Sequence, residues 1–162
     1  ASPPQVVSAA LVIPAGWLTR VRGEVAPEPA LAEDRRRIEL AAMDEVMRFE
    51  QSVGRVPIDV SAMCYGWDIE SVDPATDERR FIEVKGRAID ADTVTITCNE
   101  VMAALNEPER WVLALVMVKE GFARVPRYIL AFPRREPVPG EASVTIQLAK
   151  LLARTEAMDT RG

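Results

Sequence analysis

The sequence predicts a mixed α/β domain, a β-sheet flanked by helices. Three observations carry that expectation. An amphipathic helical run extends from Leu31 to Val53; strand-like segments rich in β-branched residues follow it; and a nearly all-apolar run, Trp111 to Val118, reads as a central strand needing cover on both faces. The expected core order is helix, three strands, helix, strand (αβββαβ), with a further strand and helix appended. A chain of 162 residues fits one domain of ordinary size, able to bury a core without disulfides or a structural metal.

Each element has its own warrant. Five of the twelve prolines fall within residues 1–30, which read as a linker or the tail of a preceding domain. From Leu31 to Val53, a turn of ~100° per residue puts Ile38, Ala42, Val46, Phe49 and Val53 on one narrow face, and Gly54 stops the helix. Glu50 falls inside that apolar arc, where a carboxylate is costly unless something meets it. Tyr65 to Val72 and Arg80 to Gly86 flank the turn-rich segment Asp73-Pro74-Ala75-Thr76-Asp77-Glu78, a hairpin signature, and Thr93 to Thr97 follows as a third strand. Thr97-Cys98-Asn99-Glu100 matches a capping box and opens a helix that ends before Pro108. Arg127 to Phe132 reads as a strand and Val144 to Arg154 as a closing helix. The expected domain spans 31–157, with 158–162 a disordered tail.

Composition narrows the chemistry. The chain contains no histidine, which excludes Ser-His-Asp and Cys-His nucleophile systems, His-based metalloproteases and nucleases with a histidine base. A bound metal would have to be a hard one on carboxylate and carbonyl oxygens. Cys64 and Cys98 lie far apart and outside any C-x-x-C pair, which points to small apolar fillers in a reducing, cytoplasmic setting. No apolar run approaches the ~20 residues that span a bilayer, so no membrane is expected as a partner. The net charge of −5 is the wrong sign for a domain that holds nucleic acid by electrostatics alone. The chain begins without methionine or a secretory leader and reads as part of something longer.

One constellation could perform chemistry. Strand alternation puts Glu83 and Lys85 on one face, with Ile82 and Val84 on the other. Pairing across the hairpin brings Asp68 close to both. An acid followed about fifteen positions later by Glu-x-Lys is the PD-(D/E)XK nuclease pattern. In it, two carboxylates and a backbone carbonyl, here that of Val84, hold magnesium; the metal activates a water and the lysine offsets the growing negative charge. Glu50 could supply a third carboxylate from the preceding helix. Arg87, just after the motif, suits a phosphate contact, and Asn99 could make another. Other residues have simpler readings. Glu100 caps its own helix, Tyr65 and Trp67 either pack or stack on bases, Arg35-Arg36-Arg37 are solvated, and Asp59 carries no assigned role.

The motifs Glu50-Gln51-Ser52-Val53-Gly54-Arg55, Asp59-Val60-Ser61, Gly66-Trp67-Asp68-Ile69-Glu70-Ser71, Arg80-Phe81-Ile82-Glu83-Val84-Lys85-Gly86-Arg87 and Thr97-Cys98-Asn99-Glu100 occur in an order that resembles the NO VEIN C-terminal domain family, over roughly residues 35–152. The resemblance implies a restriction-endonuclease-like fold, more distantly similar to Mrr-type endonucleases and Holliday-junction resolvases. It implies Asp68, Glu83, Glu50 and the Val84 carbonyl as ligands of Mg2+ (Mn2+ as substitute), and Lys85 as the catalytic lysine. Lys85, Arg87 and Asn99 would contact the nucleic acid. The leading segment, with Ala9-Ala10-Leu11-Val12-Ile13-Pro14, is similar to the stretch that joins such domains to SWI/SNF-like helicases, implying DNA as substrate and a helicase/ATPase domain of the same parent protein as partner. The alternative is a catalytically silent DNA-binding or protein-docking module. Oligomeric state is not legible.

Overall fold

The computed structural model describes residues 29–130 and 142–159. The expected linker over 1–30, apart from the start of the first helix, lies outside the described residues, and so does the tail beyond Asp159. The chain divides into two compact units, 1–33 and 34–162, and the sheet and the site described below belong to the second.

The first helix, α1 (Pro29–Ser52), is the expected one, starting two residues earlier, at Pro29, and ending one residue earlier, at Ser52. It ends where Gly54 takes φ +84° and the amides of Val53, Gly54 and Arg55 bond back to Phe49, Gln51 and Glu50. The strands β1 (Val56–Asp59), β2 (Ile69–Val72), β3 (Arg79–Ala88), β5 (Trp111–Lys119), β6 (Phe122–Ala123) and β7 (Arg127–Ile129) form one mixed sheet. Its order is β1-β2-β3-β5-β6, with β7 also on β5. β1, β2 and β3 are antiparallel neighbours; β3 and β5 run parallel, joined by β4 (Thr93–Thr97) and α2 (Cys98–Asn106).

The mixed sheet with flanking helices is thus the expected architecture, but two elements change places. The third strand of the core is β1 rather than Thr93–Thr97. β4 leaves the sheet and pairs antiparallel with β8 (Ser143–Gln147) as a separate ribbon. β1 escapes a sequence reading because Pro57 breaks its pattern, and proline is tolerated there only because β1 is an edge strand. The expected closing helix also splits. Val144 and Ile146 alternate as strand residues opposite Ile96 and Val94, and α3 (Leu148–Asp159) starts only afterwards. Four apolar positions in so short a stretch fit either periodicity, and the cross-strand partners decide it.

The core has two layers, one on each face of the sheet. Ala42 and Val46 of α1 pack on Ile69, Ile82, Val112, Ala114 and Val116. On the other face Val101 and Ala104 of α2, Leu148 and Leu151 of α3, and Val94 and Ile96 of β4 pack on Phe81, Leu113 and Leu115. β5 is buried along nearly its whole length, as its all-apolar sequence requires.

Candidate active site

β2 pairs with β3 only as far as Ile82; beyond it, no strand among the described residues pairs with that edge of β3. A cleft of about 470 Å³ opens on that free edge. Its walls are Glu83 to Arg87 of β3, Asp68 just before β2, Asp59 and Ser61 at the end of β1, Glu100 of α2, and Arg36, Glu39, Leu40 and Met43 of α1. The α1 wall stands close because residue 86 is glycine. A Cβ there would lie 2.8 Å from the carbonyl oxygen of Ile38 and 2.9 Å from Cβ of Ala42.

Asp68, Glu83 and Lys85 come together as the hairpin argument requires. The amide of Val84 donates to Asp68 Oδ2 at 2.9 Å, which holds the aspartate against the free edge of β3. The N–H and C=O of one strand residue point to the same side, so the Val84 carbonyl also faces that edge. Lys85 Nζ sits 2.7 Å from Glu83 Oε1 and 2.9 Å from Glu100 Oε2. Glu100 also accepts from the Thr97 amide while Thr97 Oγ1 accepts from the Glu100 amide, so one side chain caps α2 and binds the lysine.

Burial, more than charge balance, sets the protonation of this cluster. Burial pushes the Glu83 carboxyl up to about 8 against the attraction of Lys85, with Asp68 and Glu100 adding to the rise. Burial likewise raises Asp68, opposed by the Val84 amide and Lys85 and reinforced by Glu100 and Asp59. For Lys85, burial works against the ammonium, but Glu83 and Glu100 outweigh it and hold the charge more firmly than in water. Near neutral pH Glu83 therefore retains its proton while Lys85 keeps its positive charge.

The metal-ligating groups on the cleft wall are hard oxygens: the carboxyls of Glu39, Asp59, Asp68, Glu83 and Glu100 and the carbonyl of Val84. This set suits magnesium or manganese. Among the described residues no three acidic or cysteine side chains converge closely enough to cage an ion by themselves. Two carboxylates at an open cleft still fit magnesium, which keeps several waters and completes its shell with substrate phosphates.

The other expected site residues divide. Arg87 lines the cleft, its Nη1 donating to the Gly86 carbonyl at 2.7 Å; burial lowers its pKa. Asn99 is not on the cleft wall; its amide donates to the Cys64 carbonyl at 3.3 Å and ties down the loop before β2. Glu50 does not reach the cleft. It packs on the opposite face of the sheet from Glu83, fully buried, accepting from Ser71 Oγ and from Tyr128 Oη at 2.7 Å, with Arg55 Nε 3.2 Å away. The helical periodicity that aimed Glu50 inward was right, but α1 covers the Ile82 face and the cluster lies on the Phe81 face. The α1 carboxylate that does line the cleft is Glu39, on the exposed half of the helix. Periodicity cannot reveal it, because its neighbours are solvent and the free strand edge. Asp59 and Glu100 were also passed over as site residues; for Glu100 the capping box hid a second partner.

The family described as "Protein NO VEIN, C-terminal" matches residues 38–129, from within α1 to the end of β7. The chain belongs to this family. The matched span contains every residue of the cleft wall except Arg36. Among solved structures, the Holliday junction resolvase Hjc from the archaeal hyperthermophile Archaeoglobus fulgidus is similar over 71% of this chain and 88% of its own, at 18% identity and a TM-score of 0.49. No curated protein matches the chain.

Proposed function

We propose that this NO VEIN C-terminal domain is a divalent-metal-dependent nuclease that hydrolyses phosphodiester bonds in DNA. The observation that carries the reading is the meeting of Asp68, Glu83 and Lys85 at the edge of β3, in a cleft that Glu39, Asp59 and Glu100 also line. Asp68, Glu83 and the Val84 carbonyl would hold Mg2+ or Mn2+. Bound there, the metal would lower the pKa of a coordinated water and neutralise phosphate charge. Lys85 stays protonated between two carboxylates, so it acts as a fixed positive donor toward the phosphoryl oxygen rather than as a base. Arg87 stands two residues further along the same cleft wall and suits a neighbouring phosphate. Hydrolysis adds water across the P–O bond: the water oxygen joins phosphorus, the ester oxygen leaves, and the leaving oxygen takes up a proton. The leading segment's likeness to helicase-joining stretches supports a helicase/ATPase domain in the same parent protein.

A labelled-DNA assay with magnesium or manganese tests this, comparing wild type with Asp68→Ala and Lys85→Ala. Cleavage by wild type alone is expected; equal cleavage by all three rejects the assignment. One observation favours a silent DNA-binding module instead: Lys85 is enclosed by Glu83 and Glu100 and already has two carboxyl partners. Titration calorimetry with DNA present separates the two, because a silent module binds no magnesium at millimolar concentration.

A further inference from the structure

Three aromatic side chains form a ladder from the core to the surface, two of them on the loop between Ser61 and Asp68. Phe81 is buried on β3; Trp67 stacks on it with ring centres 4.4 Å apart and planes 17° apart; Tyr65 leans on Trp67 at 5.5 Å and 43°. Packing accounts for Phe81 and the inner side of Trp67. It does not account for Tyr65, half of whose surface meets solvent.

The loop that carries Tyr65 is held firmly. Gly66 has φ +92°, and a Cβ there would lie 2.6 Å from Cβ of Ala103. The Asn99 amide donates to the Cys64 carbonyl at 3.3 Å, and Trp111 Nε1 donates to the Gly66 carbonyl at 2.9 Å. The loop also begins and ends on the cleft wall, at Ser61 and Asp68. Phe81, at the base of the ladder, precedes Glu83 by two residues on the same strand face, a separation of ~7 Å. An exposed aromatic ring is thus fixed on a loop whose two ends lie on the cleft wall.

The charge around it selects the ligand. The loop from Ser61 to Trp67 carries no cation that could hold a phosphate; the cations of the cleft, Lys85, Arg87 and Arg36, stand on β3 and α1. An uncharged ring grips a nucleobase through its π face, a contact that needs no cation. In continuous duplex those faces are already covered by neighbouring bases. We infer that Tyr65, backed by Trp67, stacks on an unpaired base of the DNA in the cleft, so that the substrate carries unpaired nucleotides beside the scissile phosphate. The inference rests on the DNA-binding half of the proposed function and not on cleavage.

The test uses the full chain in a chelating buffer, with a single-stranded oligonucleotide carrying 2-aminopurine and the same sequence as perfect duplex. Wild type is expected to quench the 2-aminopurine emission on binding the single strand. Tyr65→Leu, which keeps apolar cover over Trp67, is expected to bind it about tenfold more weakly and without quenching, while Tyr65→Phe restores both. Neither variant should alter duplex binding or the melting temperature appreciably. The inference is overturned if wild type fails to bind the single strand, if Tyr65→Leu binds and quenches like wild type, or if it loses single-strand and duplex binding equally. Tyr65-dependent quenching together with no cleavage in magnesium upholds the stacking site and rejects the nuclease reading alone.

Discussion

Glu83 is a buried carboxyl in contact with a lysine, and it still favours the proton up to about pH 8. Its ordinary value is 4.5, so between about 4.5 and 8 the folded protein binds more protons at this site than the unfolded chain. Its contribution to stability is therefore fullest in acid and is lost as pH rises through that window. Chemical unfolding at pH 5 and pH 8.5, without metal, should show a drop that Glu83→Gln flattens; parallel curves for the two proteins would contradict it. A cation on Asp68 and Glu83 must displace that proton, so magnesium binding at pH 7 should release protons, measurable by calorimetry in buffers of different ionisation enthalpy. On the opposite face, Glu50 gives a contrasting expectation. Removing it leaves Arg55 and Tyr128 without their buried anion, so Glu50→Ala should cost about 3–5 kcal/mol in urea unfolding. Because Glu50 lies away from the cleft, magnesium affinity of the folded fraction should not change. At this scale much was legible: Asp68, Glu83 and Lys85 follow from strand alternation and one hairpin. The face to which Glu50 belongs did not follow, because a helical arc tells inside from outside but not which side of a sheet.

Among the elements, the contact between α1 and β3 shapes the cleft most directly. Helix backbone touches strand backbone at Gly86, and the close atom is a main-chain carbonyl that cannot swing aside. Gly86→Ala should push α1 outward and destabilise the domain by roughly 1–3 kcal/mol, while widening the wall that carries Glu39. Thermal unfolding measures the first effect and loss of cleavage per folded molecule the second. The element α2 has two duties through Glu100. Glu100→Gln preserves the cap, because an amide oxygen accepts from the Thr97 amide as well, but removes one of the two anions that hold Lys85. Helix stability should change by only a few tenths of a kcal/mol while cleavage falls. The sequence placed α1, β3, α2 and β5 nearly to the residue, since each carries a long period or an explicit cap. It gives no strand at β1 and reads β8 as helix, each of four or five residues, because short segments take their structure from the neighbour they pair with.

For the molecule as a whole, net charge of −5 and an acidic cleft imply that counterion release contributes little to any DNA affinity of this chain alone. The dependence of binding on salt should accordingly be shallow, with affinity supplied by base contacts and by phosphates bridged through a divalent ion. A steep salt slope in fluorescence anisotropy would show instead that basic residues outside the described cleft dominate. Among the described residues no helix is long and apolar enough to cross a membrane.

What the sequence determined by itself was local or periodic: the helix of α1, the buried run of β5, the capped start of α2, the absence of any imidazole, and the alternation that puts Glu83 and Lys85 side by side. Such features depend on residues within a turn or two of each other. The tertiary structure alone decided which strand completes the sheet, which face α1 covers, and that Glu39, Asp59 and Glu100 share a wall with Asp68 while Glu50 does not. Those outcomes depend on where β2 stops pairing with β3. A free strand edge is a property of two chain segments at once, and no single segment's pattern encodes it.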